Sequence, residues 1–309
     1  MVAKYNGINK EEIIKLFEDV GLNSLELDDY IYKQAGLTPI AIGETYKRIA
    51  QRHAEKTAYN LASLTRSTIQ TSQLYYIDAI NKAYLEVTTG YKSYNECLNE
   101  ILKDVPKGTQ VQYMSGAKRS IESAVRTNLI TATNQMSGEL QLERGQELGN
   151  NLYEVSAHID SRPSHADWQG KVYTKDELAT KCGYGQIDGL CGINCRHTFY
   201  PYIEGSIRTY TQKELEEMKN ATVTYKGNEI NTYDATQIQR KLERNIRENK
   251  KQIASFKGAL QSDNLEDKDR RDIETQLKDE NKYLRQNNAN LREFLEETGL
   301  KESGGRLTI

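Results

Sequence analysis

Apolar residues Ile13, Ile14, Leu16, Phe17 and Val20 fall on one side of a helix, and Gly21 and Gly36 are expected to divide residues 10–36 into short amphipathic helices. Thr38-Pro39 predicts the next start, with Thr as the cap and Pro in the first turn. A long helical stretch follows, carrying Tyr46, Ile49, His53, Ala54, Ala58 and Leu61 and then Leu74, Ile77, Tyr84 and Val87 up to Gly90. A capping box at Ser93–Glu96 opens a helix that Pro106-Lys107-Gly108 ends. From Ala117 to Leu148, Ile121, Val125, Leu129, Ala132, Met136 and Leu140 again recur every three or four residues.

The period changes at Leu152. Val155, Ala157 and Ile159 alternate with Ser156, His158 and Asp160, the pattern of a half-buried strand. Lys171-Val172-Tyr173 reads as a second strand, capping boxes stand at Thr174–Glu177 and Thr211–Glu214, and Val223–Asn228 reads as a hairpin. Residues 234–299 return to helical spacing in two halves, Ile238 to Leu260 and Ile273 to Phe294, with Ser262-Asp263-Asn264 as the turn. Polar seam residues near Asn245, Asn249 and Asn287 make this a helical pair that favours specificity over strength.

The expected fold is therefore mainly α with a small central α+β module, in four parts. Residues 1–37 are short N-terminal helices, 38–151 a helical domain, 152–233 the compact Cys/His-containing module, and 234–309 an antiparallel helical hairpin arm with a flexible tail. The presence of only 4 prolines in 309 residues agrees with long helices. The 42 Lys and Arg are interleaved with 44 Asp and Glu, a formal charge of −2, so no basic segment offers itself to nucleic acid. No apolar run approaches the roughly 20 residues of a membrane span. The first residues lack a secretory h-region, so a reducing cytosol with free thiols is the expected setting.

Chemistry concentrates in the central module, which holds Cys182, Cys191, Cys195, His158, His165 and His197. A thiolate pair with imidazoles nearby suits tetrahedral zinc. Buried thiols in a glycine-rich turn explain the same residues, and a single C-x3-C has no second pair to support it. A metal-dependent nuclease using His158, Asp160, His165 and His197, with Arg162 or Arg196 on phosphate, is the enzymatic alternative. Cys195 beside His197 lacks any oxyanion-hole motif, which argues against thiol catalysis. Arg162 and Arg196 read better as braces to Asp160, Asp167 or loop carbonyls, and Trp168 as module core. Nothing in the chain matches a phosphate-binding loop, a dinucleotide fingerprint or a zinc-protease helix.

The run EVSAHIDSRPSHADWQGKVY (154–173), followed by GYGQIDGLCGINCRHTFYPYIEG (183–205), closely resembles the phage minor capsid protein 2 family. More distantly it resembles Mu-type head-morphogenesis proteins, with their DxRxxH and Asn-Cys-Arg patterns, here Asp160, Arg162, His165 and Asn194-Cys195-Arg196. The helical region before the module and the TQIQRKLERNIRENKK to LREFLEETGL arm are also similar, so the likeness runs from about residue 38 to residue 300.

The resemblance implies a structural, non-enzymatic head protein of a tailed phage or prophage, located in the virion. It would act in head assembly and in portal-proximal DNA packaging or delivery. Its implied partners are the portal and other head proteins, contact with packaged DNA would be indirect, and no membrane is involved. The signature residues are Asp160, Arg162, Trp168, Gly170, Asn194 and Arg196. Cys182 falls outside the motif, which leaves His165, Cys191, Cys195 and His197 as the metal donors, with zinc the only cofactor they suggest.

Overall fold

The computed structural model describes residues 10–39, 41–60, 63, 110–113, 118–261, 265–302 and 307. The chain is mainly helical with small sheets, and it divides into two units. One comprises residues 1–66 and 121–221, the other residues 67–120 and 222–309. The expected helices between Leu61 and Pro106 and the turn at Ser262–Asn264 lie outside the described residues.

In the first unit, helix α1 (Lys10–Gln34) runs unbroken through Gly21. Gly21 is not a stop: a Cβ there would lie 2.9 Å from Leu140 Cδ1, so the missing side chain lets α1 press against a second helix. That second helix is α3 (Ile121–Glu147). Between them, helix α2 covers residues 44–60 and begins beyond Gly43, later than Thr38-Pro39 predicts. Phe17 and Leu25 of α1, Tyr46, Ile49, Ala50 and Ala54 of α2, and Met136 and Leu140 of α3 form one buried cluster. Burying such side chains supplies the main stabilisation, about 1.5–3 kcal/mol each.

Leu142, further along α3, joins a second cluster that belongs to the module. There a three-stranded antiparallel sheet has the order β4-β3-β5, formed by β3 (Leu152–Val155), β4 (Val172–Thr174) and β5 (Phe199–Pro201). Strand β3 ends at Val155, short of the expected alternation to Ile159, because the chain turns to carry the His158 backbone N–H to Gln169 Oε1 at 2.9 Å. The short helix α4 (Pro163–Ala166) starts with Pro in its first turn, and α5 (Lys175–Thr180) carries the complete Thr174–Glu177 capping box. Helix α6 (Gln212–Lys219) carries the Thr211–Glu214 box. Glu154 is buried on β3, yet its carboxylate accepts from Thr209 N at 2.9 Å and Thr209 Oγ1 at 3.0 Å, so the loop after β5 is tied to the sheet.

In the second unit, β1 (Gln110–Gln112) pairs with β2 (Lys118–Ser120), so three residues expected in the helix after Gly116 are strand. The β6 (Thr222–Tyr225) and β7 (Asn228–Asn231) hairpin leads into α7 (Thr232–Ala259), which packs along α8 (Asp267–Thr298). Ile273, Leu291, Phe294 and Thr298 of α8 and Gln239, Glu243, Ile246, Ile253 and Phe256 of α7 are buried at intervals of three, four or seven residues, with one longer gap between Ile273 and Leu291. One polar layer is explicit, with Asn287 Nδ2 donating to Asn249 Oδ1 at 2.7 Å and Asn249 Nδ2 to Glu280 Oε2 at 2.9 Å. Asn245, expected near the seam, faces solvent.

Asp28 gives the first unit a pH dependence. It is fully buried in α1, with Gln141 Nε2 donating to its Oδ1 at 3.4 Å, while Asp28 Oδ2 and Gln141 Oε1 have no partner. Burial, reinforced by Asp29, pushes the Asp28 carboxyl from its ordinary 3.8 up to about 8, against smaller opposing pulls from Gln141 and Arg144. A proton on the carboxyl removes the charge that burial penalises. The native state thus holds this proton more tightly than the unfolded chain does, and its stability falls as pH rises from about 4 to about 8. Asp28→Asn keeps the oxygen that accepts from Gln141 and removes the titrating charge. It is expected to leave stability nearly unchanged near pH 4 and to raise it by on the order of 2 kcal/mol at pH 8, as read from denaturation curves at the two pH values.

Candidate metal centre

The segment after α5 folds back on itself. Leu190 N donates to Cys182 O at 2.9 Å, Ile193 N to Ile187 O at 2.7 Å and Gly192 N to Gly189 O at 3.0 Å. Two residues with side chains take left-handed backbone conformations here, Cys191 at φ 58° and Asn194 at φ 57°. Such residues cost of order 1 kcal/mol or more each, so surrounding contacts must hold them. Thr127 Oγ1 donates to Asn194 Oδ1 at 3.1 Å, and Asn134 Nδ2 donates to Cys195 O at 3.0 Å, so α3 grips the loop from behind.

Between this loop and α4, three side chains converge. His165 Nδ1 and His197 Nδ1 are 3.4 Å apart, and Cys195 Sγ is 3.8 Å from the first and 3.6 Å from the second. All three residues are 2 % exposed, and they are the one group among the described residues with donor atoms placed to share a metal ion. Trp168 lies against both imidazoles, with ring centroids 4.6 Å from His165 and 4.8 Å from His197.

The proton positions follow from the outer partners. His165 Nε2 stands 2.8 Å from the carbonyl oxygen of Asp188, which can only accept, so Nε2 carries the proton. His197 Nε2 stands 2.9 Å from Gln169 Oε1. The same oxygen accepts the His158 backbone N–H, which fixes the amide's orientation and makes His197 Nε2 a donor as well. Both Nδ1 atoms therefore present lone pairs toward each other and toward the Cys195 sulfur. Burial holds both imidazoles neutral: the His197 value falls to about 3 through desolvation and then the neighbouring His158 and His165, and His165 is lowered chiefly by desolvation. Burial also pushes the Cys195 thiol up.

The other expected residues sit around this centre. Cys191 is buried, but its sulfur faces the His197 carbonyl at 3.7 Å and stays outside the converging group. Cys182 is a buried core thiol pushed up to about 12 by desolvation. His158 Nε2 donates to the Arg196 carbonyl at 3.0 Å. Arg196 pairs with Asp160, and Arg162 Nη2 donates to the Ile193 carbonyl at 2.6 Å, so both arginines brace the loop against the turn before α4. Asp167 bonds Lys219 at 2.7 Å. Trp168 belongs to the module core, and Gly170 takes φ 66° with Leu215 filling the space over it. The set His158, Asp160, His165 and His197 does not come together as ligands. Gln169 and Asp188 went unnoticed in the sequence, where a glutamine between Trp and Gly and an aspartate in a turn carry no distinguishing signal.

The model of the family described as phage minor capsid protein 2 matches residues 1–296, and the chain belongs to that family. The match includes the N-terminal residues before Thr38, where the sequence alone showed less likeness. Among curated proteins, a "Structural protein" of Lactococcus phage LL-H is 31% identical over 186 residues, covering 56% of this chain and 47% of the relative. The chain thus spans about half the length of that relative. No solved structure matches significantly. Among the described residues, no helix is long and apolar enough to cross a membrane.

Proposed function

We propose that the protein is a structural minor component of a tailed-phage head, carried in the virion and acting in head assembly close to the portal, with a part in DNA packaging or delivery. The family match across residues 1–296 carries this reading. The arm supports it, since a helical pair with Asn249, Glu280 and Asn287 in its seam gives up core stability for pairing specificity, as a segment selected for docking would. Other head proteins are the expected partners, and packaged DNA would be reached only through them, given interleaved charges with a net of −2. Mass spectrometry of gradient-purified particles from a host carrying the phage tests this. The protein is expected at a few copies per head, and its absence from intact heads overturns the proposal. Cleavage of DNA by the purified protein with added Mg2+ or Mn2+, lost in His165→Ala with the fold intact, would replace it with an enzymatic function.

A further inference from the structure

We infer that His165, Cys195 and His197 form a site for one zinc ion, bound through the two Nδ1 atoms and the Cys195 sulfur. The inference does not depend on the protein's place in a phage head.

Three independent observations converge on it. The first is geometric. With ordinary Zn–N and Zn–S lengths, a tetrahedral site has edges of about 3.3 Å between two nitrogens and about 3.6 Å between nitrogen and sulfur. The observed edges are 3.4 Å for the nitrogen pair and 3.6 and 3.8 Å to the sulfur.

The second is the direction of the lone pairs. Each imidazole is turned by an outer acceptor, the Asp188 carbonyl for His165 and Gln169 Oε1 for His197, so that its unprotonated nitrogen faces inward. This outer hydrogen bond is how proteins orient metal-ligating histidines. Without a cation, two acceptor nitrogens confront each other across 3.4 Å in a buried place, and the single thiol proton can satisfy only one of them.

The third is the donor chemistry and its seclusion. Two neutral imidazoles and one thiolate suit zinc in preference to magnesium or calcium, which seek carboxylate and carbonyl oxygens. The loop backbone, Trp168 and Gln169 close the site off from bulk water. Arg162 and Arg196 lie close enough to add positive potential at His197, so the thiolate is the donor the site can least spare. Cys195 must lose its proton as the ion enters. The ion then ties α4 to the returning loop, a cross-link between the DxRxxH and NCRH segments.

The test uses the full chain without an affinity tag, purified without chelator. Elemental analysis is expected to give about one zinc per chain. Removing it with EDTA should lower the melting temperature of the module, and adding back zinc should restore it with release of about one proton per ion. Cobalt titrated into the stripped protein should give the near-ultraviolet thiolate-to-cobalt band together with intense tetrahedral visible bands. Cys195→Ser should lose the thiolate band, and Cys191→Ser should retain both the band and the zinc. Sub-stoichiometric zinc together with no thiolate band on cobalt titration of the wild-type chain overturns the proposal, and this result needs no variant to fold. Loss of zinc in Cys191→Ser, with circular dichroism unchanged, overturns the three-donor assignment.

Discussion

Arg144→Ala will destabilise the first unit by about 3–5 kcal/mol, the loss expected when one side of a buried ion pair is removed. The guanidinium is 0 % exposed. Its Nη2 donates to Asp29 Oδ2 at 3.2 Å, and its Nε stands 2.9 Å from Asp29 Oδ1 as a close ionic contact. Its Nη1 is 3.2 Å from Glu147 Oε2, and its Cζ lies 4.7 Å from the centre of the Tyr46 ring, whose hydroxyl also bonds Glu147. One side chain of α3 thereby fastens α1 through Asp29 and α2 through Tyr46. Alanine leaves Asp29 and Glu147 without this cation, close to the already strained Asp28.

The loss should depend on pH. Burial already raises the carboxyl of Asp29, with Arg144 as the main opposing pull, so removing the arginine raises it further. A raised carboxyl is an advantage to the folded state only below its unfolded value, and the penalty grows as pH rises through the native value. Destabilisation by Arg144→Ala is therefore expected to be larger at pH 8 than at pH 4, where the loss of packing alone remains. Arg144→Lys should recover only part, since a point charge on a flexible stem cannot bond Asp29 and Glu147 and pack on Tyr46 at once. Because the chain has two units, amide hydrogen exchange along α1 and α3 is the suitable measurement. Unchanged protection in those helices would refute the assignment.

The fold was legible wherever local signals decide the structure. The Thr174–Glu177 and Thr211–Glu214 capping boxes, the Val223–Asn228 hairpin and the two-part helical arm are set by residues within a few positions of one another. Gly21 misled because a glycine inside an apolar period reads as a stop, while its use here is set by Leu140, more than a hundred residues away. The Arg144 network is illegible for the same reason, since an Arg on a helix with three surrounding carboxylates looks like any solvated face.

The candidate metal centre was half legible. Residue types and the 158–197 clustering picked out His165, Cys195 and His197, but spacing could not separate Cys191 from Cys195. In the loop shaped by left-handed turns at Cys191 and Asn194, both sulfurs lie near the His197 carbonyl, but only that of Cys195 joins the two imidazoles. Gln169 and Asp188 matter through atoms any residue could supply in the right place, a side-chain oxygen and a backbone carbonyl, so no residue pattern announces them.

Gly189→Ala is expected to unfold the loop that builds this centre. A Cβ at Gly189 would lie 2.0 Å from the Gly183 carbonyl oxygen, 2.6 Å from its carbon and 2.8 Å from its Cα, all backbone atoms that cannot swing aside. The methyl group must push the two layers of the loop apart. That shift would break the Leu190 N–H bond to the Cys182 carbonyl and move Asp188, whose carbonyl orients His165. Cys191 and Leu190, both buried, would leave their places in the core. The expected loss exceeds about 3 kcal/mol, the range of backbone clashes and disrupted cores. Gly185→Ala is the internal comparison: its φ of 91° carries a strain penalty, but nothing lies within 4 Å of the new methyl. Its cost should stay near 1 kcal/mol, that of an alanine at positive φ. Urea denaturation followed by Trp168 fluorescence reads both variants at the module itself, because Trp168 packs on His165 and His197. Equal losses in the two would mean that the loop yields to a side chain at Gly189, and the close backbone approach would then not be what shapes the centre.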